Sequence, residues 1–143
     1  MAHRAEVISQ DVRAVFSSYQ PQIRANLLIC RDLLFEVAEQ NDEIGPILET
    51  LKWGQASYLT PRTRSGSTVR LAATKSGNQA AIFVNCNTSL IEQFSTHYPE
   101  TFSYSGNRAL ILPVSITDLQ PQISHCLALA LTYHFRKKTA KLA

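Results

Sequence analysis

The chain has 143 residues, of which 45% are hydrophobic and 17% charged, enough apolar material for one packed domain and too much for a disordered segment. No apolar run reaches the ~18 residues a membrane-spanning helix needs. The opening Met1-Ala-His-Arg-Ala-Glu6 carries no secretory core, so a cytosolic (cytoplasmic) setting is expected. The net charge of +3 is split unevenly: residues 1–50 carry −4 and residues 51–143 carry +7, with no acid between Leu51 and Ile91. That asymmetry suits either an anionic partner or internal pairing with the acidic first half.

In chain order, Val7 to Tyr19 reads as a short helix stopped by Pro21, which also suits the first turn of the next helix. That second helix carries the strongest pattern, with Ile23, Leu27, Cys30, Leu34 and Val37 on one stripe and Leu28, Leu33 and Phe35 flanking it. Asp32, Glu36 and Glu39 lie opposite the stripe, Glu43 follows, and Gly45-Pro46 ends the element. Ile47 to Trp53 reads as one or two further helical turns before the chain extends at Ser57-Tyr58-Leu59. Thr68–Thr74 and Ala80–Asn85 then form a hairpin around a Gly-containing loop. Thr88 to Tyr98 reads as a helix closed by Pro99. A second hairpin, Thr101–Tyr104 and Arg108–Val114, turns at Ser105-Gly106-Asn107, where Gly and Asn suit positive φ. Thr117-Asp-Leu-Gln120 has capping-box spacing and opens one long final helix, with Leu119, Ile123, Cys126, Ala130 and Tyr133 on a stripe and Arg136-Lys137-Lys138 at its end. The whole, residues 1–143, is read as one α+β domain: an antiparallel sheet of about five strands covered by N- and C-terminal helices.

Several segments resemble a known family. Leu51-Lys-Trp-Gly-Gln-Ala-Ser-Tyr-Leu-Thr60 resembles the Trp-Gly-x-Pro-x-Tyr signature of the YdhG-like domains. Phe83-Val-Asn-Cys-Asn-Thr88, Tyr104-Ser-Gly-Asn-Arg-Ala109 and Ala128-Leu-Ala-Leu-Thr-Tyr-His134 resemble that family's central strand, second hairpin and closing helix. Together they span roughly residues 20–138 in the right order. The resemblance implies a frataxin-like fold, two helices against an antiparallel sheet. One branch of the family is described as an intracellular iron chaperone. Ala56, Asn85 and Ser105 stand where proline, histidine and glutamate are usual, so two candidate ligands or catalytic groups of the relatives are missing here.

Three functions follow from these residues. The first is a non-catalytic module that binds a small molecule or a protein around Trp53, Gln55, Tyr58 and Arg108, with Arg108 and Lys52 as an anion-binding pair. The competing structural reading makes the lone Trp53 a core anchor at the passage from helix to sheet, with Gly54 supplying the backbone freedom. The second is iron binding through Asp32, Glu36 and Glu39, against which stands their place on the solvated back of an amphipathic helix. The third is an enzyme using Cys86, close to a helix start, or one of His97, His125 and His134, though no acid is placed to orient an imidazole. Cys30, Cys86 and Cys126 are otherwise read as reduced core residues, since no Cys-x-x-Cys pair exists. No cofactor is called for beyond the iron of the second reading. The short basic tail lacks the broad, aromatic-interleaved face of a nucleic-acid interface.

Overall fold

A computed structural model describes residues 8–142 of the chain. Helix α1 (Gln10–Ser17) is capped by Ser9, whose hydroxyl accepts from the Val12 amide. Val7, its expected first residue, lies outside the described residues. Helix α2 (Pro21–Gln40) starts with proline in its first turn and buries the whole predicted stripe. Leu33 and Phe35 are buried beside the stripe, whereas Leu28 is on the exposed side.

Six strands follow in one antiparallel sheet of order β1-β2-β3-β4-β6-β5: β1 (Leu48–Lys52), β2 (Gln55–Leu59), β3 (Val69–Ala73), β4 (Ala80–Phe83), β5 (Ser103–Ser105) and β6 (Ala109–Ile111). Helix α3 (Leu90–His97) lies between β4 and β5. The count of about five strands and the helical turns at Ile47–Trp53 are corrected together. Leu48–Lys52 is a strand, paired in register with Gln55–Leu59 from Leu48↔Leu59 to Lys52↔Gln55. Trp53 and Gly54 are the two central residues of the turn, both at positive φ (56° and 74°), as a type I′ hairpin turn requires. The strand escapes a pattern search because one of its two inward positions is held by Glu49 rather than an apolar residue.

Strand alternation divides the sheet into two faces. Ala56, Tyr58, Val69, Leu71, Ile82 and Leu110 join a single core with the buried residues of the helices. The alternate residues, Ser57, Arg70 and Phe83 among them, stand outside that core on the opposite face.

The C-terminal helix is not continuous. A 3₁₀ turn (Thr117–Leu119) leads into α4 (Gln120–Leu131), and α5 (Tyr133–Leu142) follows after a break at Thr132. Thr117 sits inside the 3₁₀ turn, the preceding position is Ile116, and no side-chain cap forms, so the capping box is not used. The break is made by the loop after β2. Ser67 donates its amide to the Ala130 carbonyl at 3.0 Å, and Ser65 Oγ donates to the Leu131 carbonyl at 2.8 Å. The His134 and Phe135 amides, which an unbroken helix would give to those two carbonyls, donate instead to the Ser65 carbonyl at 2.8 and 3.1 Å. Gly66 lies against the Leu131 backbone so closely that a Cβ would meet its oxygen at 2.6 Å.

Candidate functional site

On the face that no described helix covers, one row of residues crosses four strands in register: Ser57 on β2, Arg70 on β3, Phe83 on β4 and Ala109 on β6. Ser57 and Ala109 are short, so the row sinks on either side of Arg70 and Phe83. Lys52 and Gln55, facing each other at the end of the β1–β2 hairpin, and Arg108, just before β6, raise the walls. The hollow has a volume of about 460 Å³ and is also lined by Thr68, Asn85 and Cys86. Among the described residues three cations line it and no carboxylate does. The Arg70 Nε is fully buried and has no hydrogen-bond partner among the described residues. A desolvated guanidinium N–H is costly to leave unpaired, and the same side chain lines the hollow, where its positive charge favours an anion.

The four residues expected to bind ligand separate in the structure. Gln55 and Arg108 line the hollow together. Trp53 projects from the hairpin tip one residue beyond Lys52 and is 88% exposed, so the core-anchor reading is corrected. An exposed indole in the left-handed region costs on the order of 1 kcal/mol of backbone strain, and it offsets none of that by packing in the core. Tyr58 faces the other way, because its register position on β2 points into the core. It is fully buried, its ring meets Phe35 edge-on at 6.1 Å, and its hydroxyl donates to Glu49 Oε2 at 2.8 Å. Burial and the Glu49 charge push the phenol well above its ordinary range. Glu49 also accepts from Arg31 Nη2 at 3.1 Å and from the Ser9 amide at 3.2 Å, forming a buried polar cluster between α1, α2 and β1. Tyr58 is thus a structural residue within this cluster.

No family model, curated protein or solved structure matches the chain. The site therefore rests on its own geometry.

Arg70, Thr68, Phe83 and Asn85 are lining residues that the sequence reading did not assign to ligand binding. A signal existed: Arg70 is the only charge in the apolar strand Val69-Arg-Leu-Ala-Ala73, and alternation turns it away from the core. Arg70 also lies in the acid-free stretch.

The other candidates are scattered. Cys30 and Cys126 are buried, and burial pushes both thiols up to about 12. Cys86 is only half-buried and lines the basic hollow, so the expectation of three core cysteines is corrected. It lies past the end of β4, where the strand has already left the core. An alkylating reagent at neutral pH should therefore add once to the native protein, at Cys86, and three times after unfolding. Intact-protein mass spectrometry reads both numbers, and rapid native modification of Cys30 or Cys126 would contradict the packing.

No histidine lines the hollow. His125 and His97 lie together elsewhere, ring centroids 4.7 Å apart, with the Tyr98 hydroxyl 2.7 Å from His125 Nδ1. Burial, then the neighbouring His97 and Arg136, hold the His125 imidazole below its ordinary value. Among the described residues no carboxylate orients it, unlike a nucleophile–histidine–acid relay. Asp32, Glu36 and Glu39 line the exposed side of α2, and among the described residues no three metal-binding side chains converge.

A second basic hollow, also about 460 Å³, lies under α5 between Arg64, Lys137, Lys138 and Lys141. Glu43 projects into it, and its lysines are exposed on one helix side. Flexible, hydrated ammonium groups beside a carboxylate make a weaker anion site than Arg70 on a sheet strand with Arg108 at the start of the next and no described carboxylate. Among the described residues no helix is long and apolar enough to cross a membrane.

Proposed function

We propose that the chain is a binding module that takes a small anionic ligand, through a carboxylate or phosphate group, in the hollow on the face of its sheet that no described helix covers. The observation that carries this reading is the convergence of Lys52, Arg70 and Arg108 on one concavity that, among the described residues, has no acid in its lining and leaves the buried Arg70 Nε without a hydrogen-bond partner. Gln55 and Asn85 add neutral hydrogen-bonding groups that fix orientation. The YdhG-like resemblance and its frataxin-like arrangement belong to the same proposal, supported by the ordered motifs and by helices packed on one face of an antiparallel sheet. Cytosolic residence also belongs to it.

Inorganic phosphate and a small dicarboxylate at low ionic strength should raise the unfolding temperature through ligand linkage. Arg70→Ala with Arg108→Ala should weaken that binding at least ~10-fold, since each charge-assisted contact is worth roughly 1.5–3 kcal/mol. Lys138→Ala with Lys141→Ala, in the second hollow, should leave it unchanged. An unaltered response in the double arginine variant would overturn the assignment.

A further inference from the structure

The hollow holds more than charge. Phe83 is half-exposed in its floor, directly across the strand pair from Arg70. No aromatic ring or cation among the described residues stacks on Phe83 or on Trp53. Two aromatic rings are thus unengaged at one basic site, one on its floor and one a single residue past its rim. Trp53 also occupies a turn position that ordinarily takes Asn or Gly, so its side chain is not explained by the hairpin.

We propose that the ligand is a phosphorylated aromatic heterocycle, in its simplest form a mononucleotide, with its phosphate among Lys52, Arg70 and Arg108 and its ring on Phe83, while Trp53 covers the outer edge. This rests on the anion-binding reading above and names the ligand class. A phosphate monoester of charge near −2 meets three cations, so the site accepts it without a metal. Every base has a flat face, so stacking on Phe83 selects for a ring rather than for one base. At about 460 Å³ the hollow suits one nucleotide rather than a strand.

Trp53 is the single tryptophan and follows Lys52 of the rim, so its emission is assigned without ambiguity to the end of the hairpin beside the hollow. Titrations with adenosine monophosphate, ribose 5-phosphate and inorganic phosphate separate the two readings. The nucleotide should quench Trp53 and bind at least ~10-fold more tightly than ribose 5-phosphate, the gain expected of one stacked base. Phe83→Leu, which keeps apolar bulk and loses the ring, should remove that gain and leave phosphate binding as it was. Trp53→Asn should weaken the nucleotide further while suiting the turn better, so a loss of binding in a more stable protein would not be a folding defect. Equal affinity for nucleotide and ribose 5-phosphate would overturn the ring contact and leave the anion site standing. No binding of any of the three would overturn both. A single-stranded oligonucleotide that bound far more tightly than the mononucleotide would overturn the assignment in favour of a polymer.

Discussion

Replacing Glu49 with alanine should cost about 3–5 kcal/mol of stability, the usual penalty for removing one partner of a buried ion pair. Arg31, on the buried side of α2, is 1% exposed and Glu49 is 8% exposed, so the guanidinium left behind has little access to water. Groups other than Arg31, on which Asp32 also acts electrostatically, lose a partner too. The Tyr58 hydroxyl and the Ser9 amide both donate to the same carboxylate and would lose their acceptor. The Arg31 guanidinium also lies 4.8 Å from the centroid of the Phe35 ring, so it has no room to swing outward without disturbing the core. A fall in Tm of about 10 °C or more is expected for a domain of this size. Arg31→Met combined with Glu49→Leu should recover much of the loss, because two apolar side chains leave no unpaired charge. Thermal and urea unfolding of the two single variants and the pair form a double-mutant cycle. If Glu49→Ala unfolds within about 0.5 kcal/mol of the parent, the cluster is not the structural tie described above.

Gly66→Ala should also be costly, by a different mechanism. The added carbon would lie 2.6, 2.7 and 2.8 Å from the oxygen, Cα and carbonyl carbon of Leu131. All three are backbone atoms, so no side chain can rotate away, and either the loop or the helix break must move. Overpacking of this kind costs typically 1–3 kcal/mol, and a backbone clash belongs at the upper end. Hydrogen exchange localises the effect: the His134 and Phe135 amides, which both rely on the Ser65 carbonyl, should lose protection first. Wild-type protection at those two amides in the alanine variant would refute the close approach.

Much of this fold is written in residues that obey one period. The α2 stripe and the two hairpins at Val69–Phe83 and Ser103–Ile111 follow from spacing and turn chemistry alone, because their core-facing positions are apolar throughout. The misreadings share a physical cause, which is long-range pairing that no local pattern records. Glu49 takes an inward strand position because Arg31, 18 residues earlier, waits for it in the core. Trp53 is outside the core because the β1–β2 register, set by five cross-strand pairs, puts it at the turn. A lone tryptophan is usually buried, and only the pairing shows otherwise. The site was half legible: Gln55, Arg108 and the Arg108–Lys52 pairing could be named from the chain, while Arg70 joined them only when β3 was laid between β2 and β4. Tyr58, adjacent in sequence to this group, belongs to the opposite face, since a period of two separates neighbours.

The splice between Ser65–Ser67 and Ala130–Phe135 has a consequence for which length changes the chain can bear. A helix end that bonds only to itself tolerates a residue added to a distant loop. Here the loop and the helix supply each other's donors and acceptors, with the Ser65 carbonyl taking two amides, so the two stretches behave as a single unit with a fixed count. Deleting a residue from the exposed part of the loop, 61–62, disturbs the turn that the Arg64 and Gly66 amides close on Thr60 but leaves the Ser65–Ser67 count as it is. Deleting one within 65–67 shifts every donor by a place and exposes the Ala130 and Leu131 carbonyls together. The last helix, basic along its length, thereby takes its direction from a turn made some 70 residues earlier.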